Sequence, residues 1–154
     1  MQIDSIDVQI LKLLNKNARI QWKEIGEEIH MTGQAVGNRI KKMEDNGVIQ
    51  AYSIVIDELK VGLPFTAFVI FYMNAHTHDD LLKFIATRNE ISEAHRVSGD
   101  ACYLLKITVR SQEALNHLLN DLLIYGNYQL YLSIKEVKKH NNASLMEVEK
   151  NTTL

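Results

Sequence analysis

Thr32-Gly-Gln-Ala-Val-Gly-Asn-Arg-Ile-Lys-Lys-Met-Glu-Asp-Asn-Gly-Val-Ile-Gln-Ala-Tyr52 is the stretch on which the fold turns. Thr32 is a helix N-cap residue, Val36, Ile40 and Met43 recur at helical spacing, and Asn46-Gly47 is a stop signal. The other side of that helix carries Gln34, Asn38, Arg39, Lys41 and Lys42, which can reach base edges and phosphates. Upstream, Asp4 can cap a helix over 5–15 whose apolar stripe is Ile6, Ile10, Leu13 and Leu14. Asn15 to Arg19 then connects to a second helix over 21–30, with Trp22, Ile25 and Ile29 inward and Lys23, Glu24, Glu27 and Glu28 outward. The turn from the second helix to the third is very short. Three helices ending in a polar, cationic one are the layout of a helix-turn-helix reader of the major groove.

Charge narrows this reading without carrying it. The chain has a net charge of −2, and residues 1–55 hold seven basic against seven acidic side chains. Non-specific DNA affinity normally rests on excess positive charge, so here the case stands on local arrangement. Gln34 and Asn38, one turn apart, match the two-point pattern of adenine, and Arg39 matches guanine or a phosphate. Lys41 and Lys42, further from the helix start, are expected on phosphates. Arg19, Gln21 and Lys23 surround the start of the second helix, where backbone N–H groups also favour a phosphate. Thr32, Gly33 and Gly37 complete the expected DNA-binding set. The two glycines cost roughly 1 kcal/mol each in helix propensity, which a close approach to the second helix or to the DNA backbone would explain. Trp22 sits at core spacing and is read as packing. The plain alternative for the whole face is a solvated helix surface.

Apolar residues make up 46% of the chain and charged ones 23%, the balance of a folded soluble protein. A single cysteine, Cys102, excludes an intramolecular disulfide and a multi-cysteine zinc site. Met1-Gln-Ile-Asp-Ser leads into a capped helix without a signal-peptide pattern, and no apolar run approaches the ~18 residues of a membrane span. The expectation is a cytoplasmic protein with no membrane partner. His76-x-His78 lacks a third ligand nearby, so no metal and no cofactor are expected. Asp100, His95 and Arg96 are the only clustered ionisable groups of the second half, and His95 and Arg96 face opposite sides of one strand. A small-molecule-binding or enzymatic domain with an N-terminal adaptor therefore lacks its convergent residues, and no catalytic residue is expected.

Downstream, Val48 to Asp57 has β-character, with Val48, Tyr52, Ile54 and Ile56 on one face. The only proline and a glycine punctuate 57–64, which places a domain boundary there. The expected organisation is a DNA-binding domain over 1–52, a β-containing linker over 53–64, an α/β domain over 65–140 and an unassigned tail over 141–154. In the α/β domain, strands are expected at Phe65–Asn74, Ile91–Ser98, Ala101–Arg110 and Tyr128–Lys138. Helices are expected at Asp79–Arg88 and after Ser111, where Leu115, Leu118, Leu119, Leu122 and Leu123 recur at helical spacing. Gly99-Asp100 is a hairpin turn. This βαββαβ order predicts an α+β, ferredoxin-like sandwich with two helices on one face of an antiparallel sheet. The first strand is apolar on both sides: Ala67, Val69, Phe71 and Met73 one way, Phe68, Ile70 and Tyr72 the other. A half-covered sheet should alternate with polar residues, so Phe68, Ile70 and Tyr72 are expected in a dimer interface.

Taken in order, these residues resemble the Lrp/AsnC family of bacterial and archaeal transcription regulators over about residues 3–138. The similarity is carried by Ile3-Asp4-x-x-Asp7-x-x-Ile10-Leu11-x-x-Leu14, Asn17-Ala-Arg19, Arg39-Ile-x-x-Met-Glu-x-x-Gly47-Val-Ile49-x-x-Tyr52, Leu59-x-x-Gly62 and Val97-x-Gly99-x-x-x-Tyr103-Leu-Leu. The resemblance implies a winged helix-turn-helix, a strand-containing linker and an α/β ligand-sensing domain that dimerises through its sheet. It further implies double-stranded DNA as partner, dimers assembling into octameric rings, and amino-acid-like effectors between dimers. On this chain the implied effector residues are Ser98, Gly99, Asp100, Ala101, Cys102, Tyr128 and Leu130. Two departures stand out. Cys102 takes the place of the family's Asp before the tyrosine, and Tyr128 and Leu130 stand where threonines are common. These changes argue against an ordinary amino-acid effector. They leave either another small metabolite or an architectural DNA-binding protein of the same fold without sensing.

Overall fold

Asp4 starts the first helix, α1 (Ser5–Lys16), through a reciprocal cap. Its carboxylate accepts the Asp7 N–H at 2.9 Å, and the Asp7 carboxylate accepts the Asp4 N–H at 3.2 Å. Helix α2 (Trp22–Glu28) is shorter than the sequence predicts, because the chain turns over Gly26: a Cβ there would lie 2.4 Å from the Met31 carbonyl. His30 takes φ 57° and the Met31 N–H donates to Gly26 O at 2.8 Å, a Schellman-type end built without glycine at the left-handed position. Helix α3 (Gly33–Asp45) is capped by the Thr32 hydroxyl, which accepts the Ala35 N–H at 3.2 Å. It ends at Gly47, φ 69°, with the Val48 N–H returning to Met43 O. Ile10, Leu14, Ile25, Val36, Ile40 and Met43 form the core of these helices, while Ile6 and Leu13 are only half-buried at its edge.

This computed structural model describes residues 1–74 and 78–138, and the chain divides into two units between Val55 and Ile56. His76 and the tail from 141 lie outside the described residues. The β-character of Val48–Asp57 is not realised as a strand, and neither a wing nor a β-containing linker forms between α3 and the first strand. Residues 51–57 are all exposed, Val55 as much as Tyr52, Ile54 and Ile56. A strand, however, exists only where its N–H and C=O groups find a neighbour, and the described residues supply none there.

The second unit follows the expected order, with strands β1 (Phe65–Met73), β2 (Ile91–Arg96), β3 (Tyr103–Val109) and β4 (Gly126–Leu132). Helix α4 (His78–Thr87) follows β1 and α5 (Gln112–Leu122) follows β3. The sheet runs β2-β3-β1-β4 with every neighbouring pair antiparallel. Arg96 opposes Tyr103 and His95 opposes Leu104, which centres the β2–β3 connection on Gly99-Asp100 as the sequence predicts. The Ser111 hydroxyl caps α5 by accepting the Ala114 N–H at 3.1 Å. Ala67, Val69, Phe71, Tyr103, Leu105 and Ile107 pack beneath Leu81 of α4 and Leu115, Leu118, Leu119 and Leu122 of α5. The last strand differs from expectation at both ends. It begins at Gly126, where a Cβ would meet Tyr72 O at 2.1 Å, so the glycine admits a strand pairing rather than a turn. It stops at Leu132; Ser133 donates a last bond to Thr66 O, and Ile134 and Val137 are fully open to solvent.

Candidate DNA-reading surface and effector loop

With about 100° between successive helical residues, burying Val36, Ile40 and Met43 fixes where every other α3 side chain points. Gln34, Asn38, Lys41 and Lys42 lie opposite the core and are exposed. Gly33 and Gly37 fall on the flank toward α2. A Cβ at Gly33 would be 3.2 Å from the Lys23 backbone, and one at Gly37 would be 2.6 Å from the Trp22 ring. The close approach expected from the two glycines is thus to the second helix. Trp22 itself departs from expectation: it is 53% exposed and leans on α3 instead of entering the core. Arg19, Gln21 and Lys23 are exposed around the start of α2, with Lys23 loosely paired to Glu27 at 3.8 Å.

Arg39 falls on the other flank, toward α1. Its Nη1 donates to Asp4 Oδ2 and to Asp7 Oδ1, both at 2.8 Å, and the Asp7 side chain is only 2% exposed. The hydrogen bonds to Asp4 and then Asp7 raise the guanidinium pKa further. The Asp4 carboxyl is held below its ordinary value of 3.8, first by the Asp7 N–H and also by Arg39. The sequence offered Arg39 to guanine or phosphate; the fold commits its Nη1 to tying α3 to α1. Asp4 and Asp7, three residues apart on α1, were the legible sign of this pair, since a buried carboxylate needs a cation. Beyond α3, the Tyr52 hydroxyl donates to Glu44 Oε1 at 2.8 Å. Partial burial and the Glu44 carboxylate push its pKa up to about 12. That bond returns the segment after α3 to the helix it has just left.

In the second unit the implied effector residues separate into two groups. Ser98, Gly99 and Asp100 stand exposed at the β2–β3 loop, with Gly99 at φ 120°. Ala101, Cys102 and Tyr128 are half-buried, and Leu130 is exposed. The Cys102 N–H donates to Phe71 O at 2.9 Å and Tyr128 opposes the same Phe71, so those two do converge across β1. One neighbour escaped the sequence: the buried Tyr103 hydroxyl is 3.0 Å from His78 Nδ1 at the start of α4, in hydrogen-bond contact. His78 therefore faces a phenol. Among the described residues no group of three or more His, Cys, Asp or Glu side chains could hold a metal.

Phe68, Ile70 and Tyr72 lie on the sheet face away from the helices. Cross-strand pairing puts Leu104 beside Ile70, and Tyr131 and Lys106 on either side of Phe68. Near the Phe65 end, Glu58 accepts from the Thr66 hydroxyl at 3.3 Å and from Thr108 at 3.5 Å.

Residues 66–143 match the Lrp/AsnC ligand binding domain, and residues 3–44 match the AsnC-type helix-turn-helix domain. The chain is 86% identical to the HTH-type transcriptional regulator LrpB of Bacillus subtilis, over 97% of this chain and all of that one. Among solved structures, Bacillus subtilis LrpC superposes with a TM-score of 0.86 at 28% identity, covering 91% of this chain and all of that one. The L-Met complex of the transcriptional regulator NMB0573 from Neisseria meningitidis shares the fold with a TM-score of 0.84 at 23% identity, over 91% of this chain and 94% of that one. Among the described residues no helix is long and apolar enough to cross a membrane.

Proposed function

From membership in the Lrp/AsnC family of transcriptional regulators, to which this chain belongs, we propose that it reads duplex DNA with a sequence preference as a two-fold dimer in the cytoplasm. The chain is an HTH-type transcriptional regulator with an Lrp/AsnC ligand-binding domain, and not an enzyme. The observation that carries the proposal is the exposed α3 stripe. Gln34 and Asn38 supply the donor and acceptor pairs that base edges require, and Lys41 and Lys42 supply charge for phosphates. Arg39 is set apart within this set: its Nη1 serves Asp4 and Asp7, so support of α3 is assigned to it ahead of base reading. Arg19, Gln21 and Lys23 add backbone contacts, Thr32 and Gly33 shape the start of α3, and Gly37 sets its approach to α2. The test is enrichment of bound duplexes from a random pool, followed by mobility shifts. Asn38→Ala should narrow the gap between enriched and random duplex by about 1–3 kcal/mol. Equal, weaker-than-millimolar affinity of the wild type for both would end the proposal.

The apolar sheet face of Phe68, Ile70 and Tyr72 supports dimerisation through β1, and the exposed Tyr52–Ile56 segment, in no strand among the described residues, favours a further contact with a second copy. A two-fold dimer presents two α3 helices to half-sites about one helical turn apart, or a multiple. Larger rings built from such dimers fit the same proposal.

The effector is a narrower matter. An amino acid's ammonium group needs an anion or several acceptors once it is buried. Cys102 supplies no carboxylate, Asp100 stands in solvent, and Tyr128 and Leu130 bring bulk instead of hydroxyls. These side chains favour a different small ligand between dimers, or regulation by DNA architecture without an effector. Calorimetry with the twenty amino acids should show no dissociation constant below about 100 µM. One such constant, lost on changing Gly99 or Asp100, would establish an intact amino-acid site.

A further inference from the structure

Trp22 is the only tryptophan of the chain, and its placement is unusual. It is the first residue of α2, more than half exposed, and seated on α3 at Gly37. The contact is made by one edge of the indole. A Cβ at Gly37 would lie 2.6 Å from Cε3 and 2.7 Å from Cζ3, but 3.3 Å from Cδ2. Those atoms belong to the edge of the ring system remote from the indole nitrogen, so the Nε1–H is carried on the side away from Gly37. Among the described residues it has no hydrogen-bond partner. Glycine in mid-helix is costly, yet any larger residue at 37 would unseat the ring. An indole kept for hydrophobic burial would be buried; this one is held in place and left open.

The side chains around the seat identify what the open edge meets. Gln21 and Lys23 flank Trp22 in sequence, and Gly37 lies one turn from Lys41 and beside Asn38 on α3. All four are exposed and polar or cationic. An apolar partner surface would have to desolvate them, whereas a polyanion accepts their hydrogen bonds and competes with the loose, exposed Glu27 partner of Lys23. The indole N–H is a donor only, suited to a phosphate oxygen, and the exposed ring suits the apolar face of a sugar. Contacts of that kind fix the register of a protein on the duplex and carry no sequence information.

We infer that Trp22 contacts the sugar–phosphate backbone of bound duplex DNA, with the indole N–H donating to a phosphate oxygen and Gly37 serving as its seat. This rests on the DNA-reading role of α3. Because Trp22 is the sole tryptophan, the full-length wild-type protein reports the contact by its own fluorescence. With a duplex enriched from a random pool at saturating concentration, the emission should be quenched and acrylamide should reach the indole less readily. Trp22→Phe, which keeps a ring but loses the donor, should weaken binding about two- to tenfold, the weight of one net hydrogen bond. The loss should be equal on enriched and random duplexes, with an unchanged melting temperature.

Three results would overturn the inference. If mobility shifts show complex formation while Trp22 stays as open to acrylamide as in the free protein, the contact is absent and the DNA-reading role of α3 stands. If no duplex is shifted at any concentration, both fall together. If shielding of Trp22 rises with protein concentration in the absence of duplex, the indole belongs to an interface between copies of the chain.

Discussion

The outward face of α3 and the uncovered face of the sheet are both open to solvent, and they are opposite in chemistry. The first presents Gln34, Asn38, Lys41 and Lys42. The second is mainly apolar, presenting Phe68, at 39% exposure, with Ile70, Tyr72, Leu104 and Tyr131 around it and Lys106 and Gln129 beside them. A polar helix face rests in water at no cost and becomes informative only through which donors it carries. An apolar sheet face costs about 25 cal/mol for each Å² left in water, so its exposure in a single chain is itself the message. The polar face is free to exchange water for a polyanion, and the apolar one calls for another protein surface. Exposure alone therefore says little, and the chemistry of what is exposed separates the proposed DNA-reading surface from the proposed assembly surface.

The comparison breaks most visibly at Ile70. Ile70→Asp places a charge in the middle of the apolar face and should convert dimers to monomers or insoluble protein. With only one α3 offered per particle, binding to an enriched duplex should fall by two orders of magnitude or more. Sedimentation at micromolar concentration checks the assembly; a wild type that is already monomeric there would remove the assembly half of the contrast.

Arg39 sharpens the other half, because it separates reading from support on one helix. Arg39→Ala leaves the Asp7 carboxylate buried without its cation and should destabilise the first unit by about 3 kcal/mol. Thermal or urea unfolding measures this directly. If Arg39 were a base reader instead, the melting temperature would be unchanged and only the preference for enriched duplex would fall.

The smallest effect lies with Asp4. Its pKa is held below the ordinary 3.8 in the folded chain, so it adds stability at pH values above 3.8, and that stability is lost as the pH falls through the lower folded value. Asp4→Asn keeps an N-cap side chain but removes the charge. Relative to wild type it should cost a few tenths to about 1 kcal/mol at pH 6, the range of partly exposed pairs, and the two unfolding curves should converge as the pH falls below 3.8. Parallel curves across that range would show that the Asp4 charge takes no part in joining α1 to α3.

The order of elements in both units was legible because it rests on local signals. Asp4, Thr32 and Ser111 announce helix starts, Asn46-Gly47 a stop, and the apolar period alternates over β1 from Phe65. The centre of the β2–β3 turn and the doubly apolar β1 were open to the same kind of inspection. The candidate site was less so. That α3 carries DNA-competent side chains could be seen in one helix turn after another, but which of them are free depends on residues far away in the chain. Arg39 meets Asp4 and Asp7 across more than thirty residues, and Trp22 leaves its expected core position because Gly37, fifteen residues on, opens a seat for it.

By itself, then, the sequence determined the two-part βαββαβ and three-helix design, since capping and periodicity are properties of a few neighbouring residues. Only the tertiary structure decided the partners. Gly126 lies inside β4 because Tyr72 O passes 2.1 Å from where its Cβ would be. Val48–Asp57, though it alternates like a strand, forms none because no strand among the described residues pairs with it. Pairing, seating and ion-pair formation are decided by what the folded chain brings alongside a residue, and no local pattern names that neighbour.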